Sequence, residues 1–269
     1  MTATPLLEID NVSLAFGGVK ALNGASFTMQ TGELTALIGP NGAGKTSLLN
    51  CINGFYRPQT GAMRFLHNDL RSKRAHSIAE LGIARTFQNV EVLGKSSVLE
   101  NVLLGRHVFI KESIFACGLY VGPGARAERE NRERVMQIIE FLGLGADRDR
   151  LVGSLAYGRQ KLVEIARALA MEPKLLLLDE PTSGMTPGEK DLVAQAVVRI
   201  RRDLGVTQLL IEHDMGFVSG LCDRALVLDF GTMIADGSPA QVLAMPRVIE
   251  AYLGPSFGDA PDRTMEGTP

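Results

Sequence analysis

The sequence predicts an α/β fold, and three observations carry the prediction. Apolar runs of strand length, ELTALI (33–38), KLLLLDE (174–180), TQLLIEH (207–213) and ALVLDF (225–230), alternate with helix-patterned segments, as parallel strands buried on both faces do. The first run, LLEIDNVSLAF (6–16), instead alternates roughly between apolar and polar residues, the pattern of an antiparallel strand with one wet face. From about Glu91 to Leu144 the apolar spacing becomes three-four, so a helical subdomain is expected to be inserted into the sheet-containing core.

Taken in order, ASFTM (25–29) reads as a second early strand, and ELTALI as a fully buried one. A helix is expected from about Lys45 to Asn53, followed by the turn-rich GFYRPQTGA (54–62). Within the inserted part, SVLENVLLGRH (97–107) and AERENRERVMQIIEFLGL (127–144) are helical in pattern, separated by the glycine- and proline-broken IFACGLYVGPGA. The charge run ARAERENRER (125–134) reads as the solvated face of one helix. Strand–helix alternation then resumes, with a helix through DLVAQAVVRIRRDL (191–204), and GPSFGDAPDRTMEGTP (254–269) reads as a flexible tail.

Bulk composition narrows the function classes. A hydrophobic content of 45% is ample for a buried core and argues against disorder. The 28 lysines and arginines nearly balance the 30 aspartates and glutamates, so no global field recruits nucleic acid or anionic lipid, and no nucleic-acid partner is expected. Cys51, Cys117 and Cys222 lack metal-ligand spacing and fit a reduced cytosolic chain better than a disulfide framework. MTATPLLEID has no basic and apolar leader pattern, and no run of about 18 apolar residues occurs, so any membrane role is expected to come through a partner.

GPNGAGKTS (39–47) fits G-x-x-x-x-G-K-[ST], with Gly39, Gly44, Lys45 and Thr46 at the defining positions. Here the backbone N–H groups from Gly39 through Pro40, Asn41, Gly42, Ala43 and on to Ser47 can wrap phosphate oxygens, proline itself having none to offer. Lys45 supplies a point charge between the β- and γ-phosphates, the Thr46 hydroxyl can ligate Mg²⁺, and the helix N-terminus adds partial positive charge. An apolar strand before the loop and a helix after it support a nucleotide site, and the fold expected around it is a P-loop NTPase (RecA-like) core. LLLLDEP (175–181) would carry Asp179 to the carboxyl edge of the sheet to hold Mg²⁺ through its water shell, with Glu180 free to polarise water. Because adjacent strand residues point to opposite sides, these two carboxylates are expected to do different work. His213, at the end of TQLLIEH, is by itself more often a satisfied polar residue than a catalyst, and Gln88 in ARTFQNV carries still less by itself.

The ordered set GPNGAGKT, the Gln88 loop, LAYGRQ before IARAL, LLLLDEP, TSGMTP and IEHD resembles the ATP-binding cassette family over about residues 5–253. The resemblance implies a single domain. Residues 5–90 and 159–245 would form the β-subdomain and nucleotide-binding core, 91–158 the helical subdomain with the signature loop, and 246–253 a C-terminal helix. Phe16 falls where the family stacks an aromatic ring on adenine; the lesser alternative is an ordinary core phenylalanine. The family implies that Gln88 senses the γ-phosphate and the metal, that Glu180 acts on water, and that His213 contacts the γ-phosphate. The signature Leu155–Gly158, with Ala156 and Tyr157 in place of the family's serine and glycine, would be completed by the ATP of a second protomer, its helix start offering free N–H groups. Arg159 replaces the family's glutamine and could contact phosphate or lie on the surface. Thr186 stands where the family often has aspartate or asparagine.

LAFGGVKAL, LLNCINGFYRPQTG, GIARTFQNV, LENVLLGRH, LAYG and IEAYLG look like the ATPase subunits of branched-chain (hydrophobic) amino-acid uptake systems. That branch implies an ATP- and Mg²⁺-dependent transport ATPase on the cytoplasmic face of the inner (cell) membrane, held there through permease subunits. It also implies pairing with itself or a sister ATPase, and solute delivery by a periplasmic solute-binding protein. The alternative is a soluble cassette ATPase of the iron–sulfur assembly type that drives a protein scaffold.

Overall fold

A computed structural model of the chain describes residues 4–86, 92–109 and 123–253. The alternating N-terminal run forms β1 (Leu7–Phe16), which turns back into β2 (Val19–Met29) as an antiparallel pair. Next come the fully buried β3 (Leu34–Ile38), α1 (Lys45–Ile52), β4 (Thr60–Phe65) and the two-residue β5 (Asn68–Asp69). β4 pairs with the free edge of β1, giving an antiparallel sheet of order β2-β1-β4-β5. Partner strands extend what local pattern indicated: β2 is longer than ASFTM, and β4 begins inside the segment read as turn and runs past it, because β1 offers each of them a hydrogen-bonding edge.

The chain continues through α2 (Ala75–Glu80), β6 (Ile83–Arg85), α3 (Val98–Leu103), α4 (Pro123–Phe141) and α5 (Tyr157–Leu169). The closing elements are β7 (Leu175–Asp179), α6 (Pro187–Leu204), β8 (Thr207–Ile211), α7 (Met215–Leu221), β9 (Arg224–Asp229), β10 (Thr232–Gly237), α8 (Pro239–Leu243) and α9 (Pro246–Leu253). The second sheet has the order β10-β9-β3-β8-β7-β6, parallel throughout except for the β9–β10 hairpin. α2, β6, β10 and α8 had no clear sequence pattern; each is six residues or fewer, too short for a period to show.

The all-apolar strands feed two cores. Leu34, Ala36, Ile38, Leu176, Leu178, Leu210 and Val227 pack toward the helices α3–α6. Their strand neighbours Leu37, Leu175, Leu177, Leu209, Ile211, Leu226 and Leu228 face α1 and the antiparallel sheet. Side-chain alternation within an apolar run thus supplies both sides at once. α3 begins with a Ser97–Glu100 capping box and gives way after Leu103 to a 3₁₀ turn, Leu104–Phe109, instead of running on as one helix. Gly105 lies there against the Arg167 carbonyl, leaving no room for a side chain. The charged face of α4 is exposed at Arg126 and from 128 to 130, with i,i+4 ion pairs Arg126–Glu130 and Arg129–Glu133. Buried Cys51 and Cys222 are free thiols whose burial pushes their pKa up to about 12; Cys117 and the tail 254–269 lie outside the described residues. Among the described residues no helix is long and apolar enough to cross a membrane.

α5 packs against α3, α4 and α6 and carries a buried ion pair, Lys161 Nζ to Glu164 Oε2 at 2.9 Å, with both side chains 1% exposed. Breaking such a pair from one side strands the other charge. Glu164→Gln is expected to cost about 3–5 kcal/mol of folding stability, read as a lower urea midpoint with an unchanged slope. The apolar double replacement Lys161→Met with Glu164→Leu is expected to recover most of that loss.

Candidate active site at the carboxyl edge of the parallel sheet

β3 delivers the glycine-rich loop directly to the sheet's carboxyl edge, and α1 starts from its far end. Gly39 (φ 147°) and Gly44 (φ 104°) lie in the left-handed region. A Cβ at Gly39 would collide with the Leu228 carbonyl, and one at Gly44 with the Ala21 carbonyl. Glycine is required at both places by conformation and by crowding. The loop is tied by Ala43 N–H to Pro40 O (3.2 Å) and by Gly231 N–H to Ala43 O (2.8 Å). Asn41 and Gly42 face outward, and Thr46 and Ser47 are accessible in the first turn of α1. That turn holds no acidic residue to offset its partial positive charge. Buried Lys45 donates from Nζ to Gly39 O (2.6 Å) and Pro40 O (2.9 Å). Burial lowers its pKa, and the nearby Glu180 and Asp179 carboxylates oppose that shift.

Asp179 and Glu180 take different partners, as expected, but not through strand alternation. β7 ends at Asp179, and Glu180 adopts φ +46°, a strained conformation for a non-glycine residue. Asp179 Oδ2 accepts from Arg85 Nη2 at 2.7 Å, and Arg85 Nη1 donates to Asn50 Oδ1 of α1 at 2.5 Å. The other oxygen, Asp179 Oδ1, is buried without a hydrogen-bond partner among the described residues. Mg²⁺ takes one or two carboxylates and keeps several waters. An unpartnered carboxylate oxygen, with the Thr46 hydroxyl at the start of α1, is a donor set that fits it.

Glu180 Oε1 lies 2.9 Å from His213 Nε2, so the lone histidine of the third strand end is brought to the candidate water-activating carboxylate. His213 itself lies two residues past β8, not in the strand. Glu212, which the sequence reading assigned no part, holds this corner. Its buried Oε1 accepts the Thr182 N–H (3.0 Å) and hydroxyl (2.6 Å), and its Oε2 accepts the His213 N–H (3.1 Å). It therefore pins the chain on both sides of the Glu180–His213 contact. The only sequence signal was a charged residue at the end of an apolar run.

The signature stretch needs one correction. Ala156 caps α5, and Tyr157 and Gly158 open it, with Ala156 and Tyr157 exposed. The Gly158 N–H, however, is not free: it donates to Glu189 Oε1 at 3.0 Å. Two segments that are distant in sequence meet here, and local helix geometry gives no sign of it. Arg159, left open between phosphate and surface, pairs with Asp147 (Nε–Oδ2, 2.6 Å) and donates to Gly143 O (2.8 Å).

Phe16 is exposed at the end of β1 and meets Tyr56 edge-on, with ring centroids 5.0 Å apart; it is not a core residue. Gln88 lies outside the described residues. Burial pushes the phenol of Tyr252 in α9 up to about 12, opposed by a hydrogen bond with the Gly39 backbone.

Glu212→Gln replaces a carboxylate that accepts from three donors with an amide that presents a donor to one of them. ATP turnover is expected to fall about 10–100-fold through misplacement of Glu180 and His213. ATP affinity should stay unchanged, because the phosphate loop is untouched; steady-state kinetics with equilibrium nucleotide binding separates the two.

The family model described as ABC transporter matches residues 22–183, and that described as branched-chain amino acid ATP-binding cassette transporter matches 232–254. The chain is 39% identical over 251 residues to the high-affinity branched-chain amino acid transport ATP-binding protein BraF of Pseudomonas aeruginosa, covering 93% of this chain and 98% of that one. It is 38% identical over 250 residues to LivG, of the same description, from Escherichia coli K12, with the same coverage. Among solved structures, the ADP conformation of MJ1267, an ATP-binding cassette of an ABC transporter, superposes with a TM-score of 0.81 at 35% identity, over 94% of this chain and all of that one. With a phosphate loop, paired carboxylates and a signature helix on one architecture, and with these matches, the chain belongs to the ABC transporter family of ATP-binding cassettes.

Proposed function

We propose that the chain is the ATP-hydrolysing subunit of a membrane importer, coupling hydrolysis to the uptake of branched-chain amino acids or related small solutes. The Glu180–His213 contact at the strand ends beside the phosphate loop is the observation that carries the enzymatic part. The solute class is supported by the relatives, which are branched-chain amino acid transport ATP-binding proteins, and by the match over 232–254. None of those relatives favours the soluble-scaffold alternative.

In this reading the β- and γ-phosphates enter the loop from Gly39 to Ser47, and Lys45 turns from the Gly39 and Pro40 carbonyls to the phosphate oxygens. Phe16, with Tyr56 behind it, offers a ring to the adenine. Thr46, Asp179 and Gln88 would hold Mg²⁺, which neutralises charge on the phosphates when bound. Glu180 orients water and accepts its proton as the water oxygen bonds to the γ-phosphorus and the bond to the β–γ bridging oxygen breaks, leaving ADP and phosphate. His213 steadies Glu180 and contacts the γ-phosphate. Closure brings the signature loop, Ala156 to Gly158, of one protomer onto the ATP of the other. Permease subunits hold the pair at the cytoplasmic face of the membrane, where the helices α3 and α4 and the Gln88 loop offer the docking face. A periplasmic solute-binding protein delivers the solute.

Glu180→Gln is expected to lower hydrolysis by the assembled transporter about 10²–10⁴-fold while keeping ATP bound. Tagged Glu180→Gln protein, purified from mildly solubilised cells with MgATP, is expected to bring down two multi-span permeases identifiable by mass spectrometry. Recovery of soluble scaffold proteins alone, from protein that still binds ATP, would defeat the transporter assignment.

A further inference from the structure

Glu189 lies in the first turn of α6, and its carboxylate is divided between two loops. Oε2 accepts the Thr186 N–H (3.1 Å) and hydroxyl (2.8 Å), closing the cap of its own helix. Oε1 reaches instead to Gly158 N–H at 3.0 Å, across to the start of α5. Capping α6 needs only the first set. The second set places an anion on a first-turn N–H that has no partner within its own helix. The approach is close enough that a Cβ at Gly158 would press on the Cβ and Cγ of Glu189. Gly158 is therefore suited to receive this carboxylate as well as a phosphate.

We propose that Glu189 is an internal stand-in for phosphate at the signature loop. Its carboxylate occupies the Gly158 N–H until the γ-phosphate of the partner's ATP displaces it, and so it sets the ATP concentration needed for closure. The proposal rests on the reading in which the signature loop meets ATP in trans. The physical basis is exclusion: one N–H carries one hydrogen, and two anions drawn to it repel one another. The hydrogen bonds from Gly158 and Thr186 hold the Glu189 carboxyl below the ordinary carboxylate range. A depressed acid keeps its ionised contact above that range and loses it only as pH falls through the lowered value, so acidification near neutrality does not release it. A competing anion does. Once displaced, Glu189 still caps α6, and the start of α6 loses this tie to α5.

The test is the ATP dependence of hydrolysis by the assembled transporter. Glu189→Gln removes the competing charge, and the half-saturating ATP concentration is expected to fall about five-fold or more. ATP affinity of the isolated subunit, which reads only its own phosphate loop, should stay unchanged. Glu189→Asp, one methylene too short to span both loops, is expected to shift the same way and serves if the glutamine variant folds poorly. Gln241→Ala, which breaks the analogous cap of α8, should leave the ATP dependence unchanged. An unchanged or higher half-saturating concentration in folded Glu189 variants would overturn the proposal and leave the residue as a helix cap. Absence of ATP hydrolysis in the unsubstituted transporter would instead remove the transport-ATPase reading and this proposal with it; that failure is recognisable because it precedes any change at Glu189.

Discussion

Strands β3, β8 and β7 lie side by side with every residue buried, and that burial governs where chemistry can occur. Both faces are used by the two hydrophobic cores, so polar function is confined to the strand ends. A parallel arrangement turns all three carboxyl ends the same way. The phosphate loop follows β3, the carboxylates end β7, and His213 follows β8. Because β8 sits between the other two, a residue past its end is delivered to Glu180 at 2.9 Å, although 33 positions separate them in sequence.

The site is held by a second layer of charged groups that do not face substrate. Glu212 fastens both Thr182 and His213, and Arg85 links Asp179 to Asn50 of the phosphate-loop helix. Each is a buried or nearly buried charge held by more than one hydrogen bond, so removing a partner leaves polar atoms buried. The strained backbone at Glu180 is explained by this setting. Its N–H is fixed by the Ile211 carbonyl and its side chain by His213, so the left-handed conformation is imposed from both sides.

The region around α5 links the same elements to the rest of the chain. Arg159 ties the signature helix to Asp147, the Lys161–Glu164 pair anchors its next turn in the core, and Glu189 joins its first turn to α6. The signature loop is thus a strut between the helical layer and the loop after the carboxylates.

Several features could be read without coordinates because their cause is local. The phosphate loop declares itself through glycines that its backbone requires, with the lysine and threonine fixed by position along the chain. The apolar strands declare themselves because burial on both faces leaves no polar position inside them. β4 and β6 were hidden, since neither is a continuous apolar run of strand length, and each is specified by the edge available to it and not by its own period. Which of two charges meets which was also hidden. Periodicity assigns a residue to a face, whereas the order β3-β8-β7-β6 decides its neighbours, and Arg85 reaches Asp179 from 94 residues away only because β6 lies against β7. The contact of Glu189 with Gly158 is of the same kind: a helix start advertises unpaired N–H groups in sequence, but only packing determines which acceptor arrives to take them.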